Sequence, residues 1–349
     1  MISLRTYLEQ HKTEASAPCR IDAGGTWDIK ALALPFEGIE PVTVNIALSM
    51  RTSALLSPFE DGWVKISSRG FPRGQAFQVD RLPFHSPFGL FFAVVSYFGF
   101  HGLHVHIRSQ SPVKSALGGS STALVALTKA LSKAAVGLGG KKRTSREVLH
   151  LTYHLEDAVN GGNCGLQDQA AAVYGGVNKW KWHYSRPTAP FERTPLLNRK
   201  GQAELSARLL VAYSGKSHVS ARTNQKWIKD FLSAKTRAGW IEANEIVGHL
   251  AGAIQERNWG EAAELLQQET SLRKDLTPQA MIPITEELVG QAEASGCGAR
   301  FAGAGAGGSV WALGEEKNIQ VLRKIWEDSL ASVRDAHILH CRVDPLGAR

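Results

Sequence analysis

Hydrophobic spacing along the chain switches between the two periods of regular structure. "CRIDAGG" and "PVTVNIALSMRTSALLS" carry strand-like runs broken by glycine and proline. "VKISSRG" and "AFQVD" predict two further short strands. "GLHVHIRSQ" sets Leu103, Val105 and Ile107 on one face, the alternation of a half-buried strand. "PFGLFFAVVSYFGF" is long and apolar enough for a buried helix, and residues 1–14 read as a short amphipathic helix or a loose arm. "STALVALTKALSKAAVGLGG" predicts a helix that stops at Gly137 and Gly139. In "TSREVLHLTYHLEDAVNG", Val148, Leu149, Leu151, Leu155 and Val159 recur at helical spacing behind Ser145 as the candidate cap. "DQAAAVYGG" reads as a helical turn and "VNKWKWHY" as a strand.

After about residue 200 the order changes. A strand, "ARLLVAYSG", leads into the polar loop "KSHVSARTN" and three helices near 224–237, 239–257 and 259–273. "PITEELVGQAEASG" is another helix, and "ARFAGAGAGGSVWALG" is a glycine loop flanked by a strand pattern. The tail gives one helix, "EKNIQVLRKIWEDSLASV", and one strand, "AHILHCRV". Strands and helices mixed in blocks predict an α+β fold with antiparallel sheets. The expected division is residues 1–200 and 201–349. Trp227, Trp240, Trp259 and Trp326 fall on apolar helical positions and read as core.

Composition narrows the function classes. The chain has 349 residues, 43% hydrophobic and 21% charged, enough for a large core and two domains. No stretch approaches the ~18 apolar residues of a membrane span. The N-terminus lacks the apolar core of a secretory signal, and the four cysteines show no metal-type spacing. A reduced, cytoplasmic protein is expected. Net charge is +8, but Lys and Arg are scattered, and the tight run Lys141-Lys142-Arg143 follows "GLGG" as a solvated loop. That argues against a nucleic-acid stripe and suits an enzyme that handles small polyanions.

Four segments carry candidate chemistry. In "VKSALGGSSTALVAL", Gly118 and Gly119 precede a helix start, where unpaired N–H groups and the helix dipole attract phosphate. Ser120, Ser121 and Thr122 add hydroxyls that can cap the helix, contact phosphate or ligate Mg²⁺. Taken alone, the stretch is equally a serine-capped helix after a tight turn. "RIDAGGTWD" places Arg20, Asp22 and Asp28 around a glycine turn that follows a strand. "HLEDAVNGGNCGLQDQ" separates Glu156 from Asp168 by a linker too glycine-rich for continuous helix, so the two acids can converge. One can hold Mg²⁺ and the other orient or deprotonate a hydroxyl. "GARFAGAGAGGSV" forces a tight loop close to another group.

The order of these segments resembles the GHMP kinase superfamily over roughly residues 18–315. "SPVKSALGGSSTALVAL" is similar to its second motif and "GARFAGAGAGGSV" to its third. The resemblance implies an N-terminal domain like ribosomal protein S5 domain 2 and a ferredoxin-like C-terminal domain. It implies ATP and Mg²⁺, with the phosphates over Leu117, Gly118, Gly119, Ser120, Ser121 and Thr122. It implies Ser121 and Glu156 on the metal, Asp168 as base with Arg20 beside it, and Asp28 on substrate hydroxyls. Gly303, Gly305 and Gly307 would form the loop beside phosphates and substrate, and Gly25, Trp27 and His218 would line the substrate pocket.

"GLQDQAAAVYGGVN", "RIDAGGTWD" and "YSGKSHVSARTN" resemble the sugar-1-kinase branch, the D-glycero-D-manno-heptose 7-phosphate kinases and fucose kinase domains. An anomeric sugar kinase is the expectation, with other alcohols (fucose, galactose, mevalonate, homoserine) or a non-catalytic sugar/ATP sensor as alternatives. Partners are then ATP and a small sugar, with no nucleic acid or membrane, in a monomer or homodimer. Two features depart from the pattern. Gly-Leu-Gly is Ala116-Leu117-Gly118 followed by an additional Gly119, which leaves the phosphate-loop register open by one residue. Trp27 stands where a small residue is usual. A substrate phosphate would need a cation, with Lys179, Lys181, Arg186, Lys216 and Arg222 as candidates.

Overall fold

The structure, a computed structural model, describes residues 3–217 and 220–349. The short helix α1 (Leu4–Gln10) leads into β1 (Thr13–Asp22); then come α2 (Lys30–Ala33), the 17-residue β2 (Val42–Pro58), β3 (Trp63–Ser68) and β4 (Gln75–Gln78). The helix α3 (Gly89–Phe98) and β5 (Leu103–Ser109) precede three helices, α4 (Gly119–Gly137), α5 (Ser145–Val159) and α6 (Gln167–Tyr174). The strands β6 (Val177–Trp182) and β7 (Phe191–Pro195) end this part, followed by α7 (Arg199–Ala207).

These strands form one seven-stranded sheet around β2. β1 pairs antiparallel along β2 from Thr13↔Leu56 to Asp22↔Asn45. The opposite edge of β2 is shared: Thr52–Pro58 pairs with β5 and Val42–Ile46 with β6. The gap is closed by the end of the chain, through a Leu48–Val343 bridge and a bond from Asp344 N to Ala47 O at 2.8 Å. Although the sequence places these last residues with the second half, residues 343–349 run onto the first sheet, where Arg349 and Ser16 exchange backbone bonds of 2.9 Å. The β1–β2 register shifts between Pro18 and Cys19. Proline has no N–H for a ladder, and a bulge re-aims the residues beyond it. The residue next in line is Arg20.

Both faces of this sheet are buried. α4 lies on one face, where Leu124, Val125, Leu127 and Leu131 meet Ala17, Ala54, Val105 and Ile107. Its sequence explains this: Ala, Leu and Val on nearly every side make a helix with no solvent face for much of its length. Ile21, Val44 and Ile46 on the other face pack with side chains from the second half.

That second half holds β8 (Leu209–Tyr213), then α8 (Ser220–Leu232), α9 (Arg237–Glu256), α10 (Trp259–Leu276) and α11 (Pro283–Ala294). β9 (Cys297–Phe301), β10 (Ser309–Gly314), α12 (Glu316–Ala331) and β11 (His337–Leu339) complete it. The sheet order β11-β8-β10-β9, all antiparallel, with helices between β8 and β9 and between β10 and β11, is the ferredoxin-like arrangement. The fold is therefore α+β, as the block pattern predicts.

Local differences from the sequence reading have simple causes. The cap of α5 is Thr144 rather than Ser145: Thr144 and Glu147 form a reciprocal capping box, and Ser145 is the first helical residue. β7 and α7 escape the hydrophobic pattern because "FERTP" and "RKGQAELSA" expose most of their side chains. Trp227, Trp240, Trp259 and Trp326 are buried, as their spacing predicts. Among the described residues no helix is long and apolar enough to cross a membrane.

Candidate active site

The start of α4 is a glycine-capped helix N-terminus with free N–H groups. Gly118 is its N-cap at φ +72°, and the first bond into the helix is Thr122 N to Gly118 O at 2.9 Å. The N–H groups of Gly119, Ser120 and Ser121 thus precede the first intrahelical bond, and no acidic residue sits in the first turn. The two glycines have separate reasons. A Cβ on Gly118 would stand 3.2 Å from Asp168 Oδ2, whereas one on Gly119 would meet nothing within 4 Å. So Gly118 permits a close approach of carboxylate to backbone, and Gly119 keeps the mouth open. Two expected phosphate contacts do not hold for side chains. Leu117 is buried in the core and offers its carbonyl to Arg20 N at 3.2 Å. Thr122 is buried, and its hydroxyl donates back to Gly118 O at 2.8 Å.

Arg20 and Asp168 meet across the cleft floor. Arg20 leaves β1 just after the bulge, and Asp168 stands in the first turn of α6. Arg20 Nε and Nη2 both lie 2.7 Å from Asp168 Oδ1, and Nη1 donates to Ala116 O at 2.6 Å. Oδ2 is left toward Gly118. Burial disfavours the guanidinium charge, but Asp168 and Asp22 outweigh it and hold Arg20 firmly protonated.

Glu156 sits in the last turn of α5, buried beside this pair. Ser120 Oγ donates to its Oε1 at 3.1 Å and Gln169 Nε2 to its Oε2 at 2.6 Å. Burial raises its carboxyl to about 7; the Ser121, Gln169 and Ser120 hydrogen bonds pull against that, and the Asp168 charge adds to it. A buried carboxylate flanked by two hydroxyls is a hard, all-oxygen donor set of the kind Mg²⁺ takes together with phosphate oxygens. Among the described residues no group of three His, Cys, Asp or Glu forms a self-sufficient metal site.

The glycine turn after β1 differs from expectation. Trp27 is fully buried and edges against Phe231 at 5.7 Å and Phe36 at 6.2 Å, so it is a core residue with no face toward the cleft. Gly25 does not line the cleft either: at φ +68°, its missing Cβ would lie 2.3 Å from Val42 O, so it lets the turn pack on β2. Thr26 and Asp28 do line it. Asp28 accepts from Gln167 N at 3.2 Å and from Gln167 Nε2 at 3.1 Å. Burial first, then the nearby Asp168 charge, lifts its carboxyl to about 7, with the Gln167 backbone bond opposing.

Of the third glycine segment, Gly303 reaches the cleft. Its N–H donates to Asp22 Oδ1 at 2.6 Å, and its missing Cβ would lie 3.2 Å from Ala116 O. Gly305 and Gly307 do not line the cleft. Gly305 packs on Ala280 and Gly307 on the Lys216 and Ser217 carbonyls, so they let the loop fold tightly on its own half. Gly308, missed in the sequence, allows the loop to press on Ala116. His218 lies outside the described residues. Lys179, Lys181 and Arg186 do not line the cleft, and Lys181 pairs instead with Glu40 at 3.0 Å.

Beneath the site runs an ion-pair chain of which the sequence singles out Asp22 alone, not its partners Arg300 and Glu269. Asp22 Oδ2 accepts from Arg300 Nη1 at 2.6 Å, and Arg300 Nε donates to Glu269 Oε2 at 2.7 Å. Burial disfavours the Asp22 charge, yet Arg300 and Arg20 overcome that and lower its carboxyl. The available signals were the arginine inside the buried "CGARF" strand and the i, i+4 spacing of Glu269 and Arg273 in "ETSLR".

Arg20, Asp28, Ser120, Glu156, Asp168 and Gly303 border a cleft of about 550 Å³ between the two halves. Part of its wall is polar, with Thr26, Asp28, Gln167, Asn224 and Gln225; part is apolar, with Phe71, Pro87, Leu90 and Val113.

Residues 89–176 match the family model of the GHMP kinases N terminal domain and residues 250–330 that of the GHMP kinases C terminal. A mevalonate kinase of Thermococcus gammatolerans is 25% identical over 300 residues, covering 81% of this chain and 85% of the relative. Lactococcus lactis galactokinase complexed with galactose superposes with a TM-score of 0.75 at 18% identity, over 97% of this chain and 95% of that one. A D-glycero-D-manno-heptose 1-phosphate kinase from Bacteriodes thetaiotaomicron gives 0.69 at 15% identity, over 96% and 97%. The N-terminal model spans the start of α4, Glu156 and Asp168, the C-terminal model spans Glu269, Arg300 and the glycine loop, and the chain accordingly belongs to the GHMP kinase superfamily, ATP-dependent phosphotransferases with an alcohol as acceptor.

Proposed function

We propose that this kinase phosphorylates the anomeric hydroxyl of a sugar or sugar phosphate, with D-glycero-D-manno-heptose 7-phosphate the first substrate to test. The observation that carries the catalytic reading is the Arg20–Asp168 pair, 2.7 Å apart, with its free oxygen beneath the open start of α4. The α4 N–H groups would hold the ATP phosphates, and the apolar wall at Phe71, Leu90 and Val113 would take the base. Asp168 Oδ2 would receive the proton of the attacking hydroxyl, while Arg20 fixes the carboxylate through Oδ1. Glu156, with Ser120 and Ser121, would hold Mg²⁺, which when bound neutralises charge on the phosphates. Gly303 would close the site from the second half.

The choice of a sugar rests on the polar wall. Asp28, Gln167, Asn224 and Gln225 offer both donors and acceptors, as a polyol requires. A second reading, mevalonate as acceptor, is favoured by the 25% identity to the Thermococcus gammatolerans mevalonate kinase. The deciding experiment is a coupled ADP-release screen with Mg-ATP over sugars, sugar 7-phosphates, mevalonate and homoserine. Turnover with a sugar supports the proposal; turnover with mevalonate alone replaces it by the second reading.

A further inference from the structure

Arg273 is fully buried in α10, and its surroundings are unusual for a guanidinium. Its charge centre lies 4.2 Å from the ring centre of Trp240 and 4.5 Å from that of Trp227. The two rings themselves are 5.8 Å apart at 62°. Nη1 donates to Thr26 Oγ1 at 3.1 Å, whereas Nε and Nη2 have no hydrogen-bond partner among the described residues. Burial lowers its pKa to about 10, against the Glu269 charge, so the cation persists at neutral pH. A cation so placed is costly unless its contacts are specific, and an aliphatic side chain would fill the space more cheaply.

The contacts of Arg273 define what it holds. Trp227 belongs to α8, the helix that presents Asn224 and Gln225 to the cleft. Trp240 belongs to α9, and Thr26 to the glycine turn that leads into Asp28. One turn further along α8, Phe231 rests on Trp27 and Phe36. So α8 is docked at two points, one aromatic and one cationic, and at the cationic point the same guanidinium is hydrogen-bonded to Thr26 of the glycine turn, on the polar wall that α8 shares.

We propose that Arg273 is a positioning residue for the acceptor, locking α8 and Thr26 at one separation so that the polar wall fits a single substrate length. The proposal rests on the reading above that this wall, rather than the α4 end, receives the acceptor. Arg273 acts through Trp227 and Thr26 and touches no reacting atom. Its loss loosens acceptor binding and leaves ATP binding in place.

Two measurements test it, using whichever alcohol gives the highest turnover in the ADP-release screen. In steady-state kinetics, Arg273→Lys and Thr26→Val each raise the acceptor KM by about tenfold or more, the worth of one hydrogen bond to a charged group, with the ATP KM within about twofold. Thr26→Ser restores the wild-type value, and the Arg273→Lys/Thr26→Val double variant is no worse than either single one. In hydrogen exchange of the ligand-free protein, Arg273→Lys exposes residues 223–232 while α4 keeps its protection. This second measurement needs no acceptor, so it stands if the sugar reading fails. Equal rises in both KM values, multiplying effects in the double variant, or unchanged exchange in α8 would each overturn the proposal.

Discussion

Arg20 and Asp168 stand 148 residues apart in the chain and 2.7 Å apart in space, with two guanidinium nitrogens on a single carboxylate oxygen. This asymmetry leaves Oδ2 free of the guanidinium, and on the proposed reading it is the oxygen that would take the proton. Asp168→Asn should therefore lower kcat by about 10²–10⁴-fold, the usual worth of a positioned base. The fluorescent-nucleotide affinity should stay within about twofold, because Asp168 does not share the α4 N–H groups. Retained turnover in Asp168→Asn would remove this residue from the chemistry.

Gly118 and Gly119 should respond oppositely to alanine. Gly118→Ala forces a side chain into φ +72° and sets a Cβ 3.2 Å from Asp168 Oδ2, so the protein should lose about 1–2 kcal/mol and most of its kcat. Gly119 is already helical and its Cβ meets nothing, so Gly119→Ala should gain about 0.5–1 kcal/mol of stability. The same methyl points into the cleft mouth and should raise the ATP KM. Thermal melts and initial rates on both variants separate the two roles, and equal behaviour would contradict this division of labour between the two glycines.

Why one glycine differs from the other could not be seen in "ALGGSS", where both precede a helix identically. What was legible there was local: the helix period, the glycine break and the hydroxyls. The same holds for the two acids, whose glycine-rich linker showed that they could converge. Arg300, Glu269 and Arg273 were invisible, and so was the pairing of Asp22, because their partners lie far along the chain and charged residues read by default as surface. Trp27 was misread for a related reason. Its neighbour Asp28 reaches the cleft, and a turn lets adjacent side chains point to opposite sides. Only the packing of Phe231 from α8 decides which way the indole goes.

That burial makes Trp27 a test of core against substrate contact. Trp27→Ala should cost about 3–5 kcal/mol in denaturant unfolding, as large aromatic truncations do. Trp27→Phe should cost far less and leave the acceptor KM unchanged, since no indole face borders the cleft. A selective rise in acceptor KM for Trp27→Phe, at wild-type stability, would return the residue to the substrate pocket.

Asp28 ties the acceptor wall to pH. Its carboxyl titrates near 7 in the folded chain, against an ordinary value of 3.8, because it is buried and close to Asp168. Between those values the folded state holds a proton that the unfolded state has released, so this group's contribution to stability falls as pH rises. Asp28→Asn removes that penalty and keeps the shape. Relative to wild type, the variant should gain stability with pH, by up to about 1.4 kcal/mol per unit, between about 4 and about 7 and by nothing more beyond. The difference between the two proteins is the right observable, because other groups titrate in the same range. Glu156, also near 7, acts in the same direction as Asp28, while His104, lowered to about 4 by burial, acts in the opposite one. Both cancel when wild type and variant are compared at each pH. Urea melts of the two proteins at pH 4.5, 6 and 8, on the ligand-free enzyme, give the slope directly. A flat difference would mean that the Gln167 hydrogen bonds keep Asp28 ionised, and the carboxylate would then face the acceptor as a permanent anion.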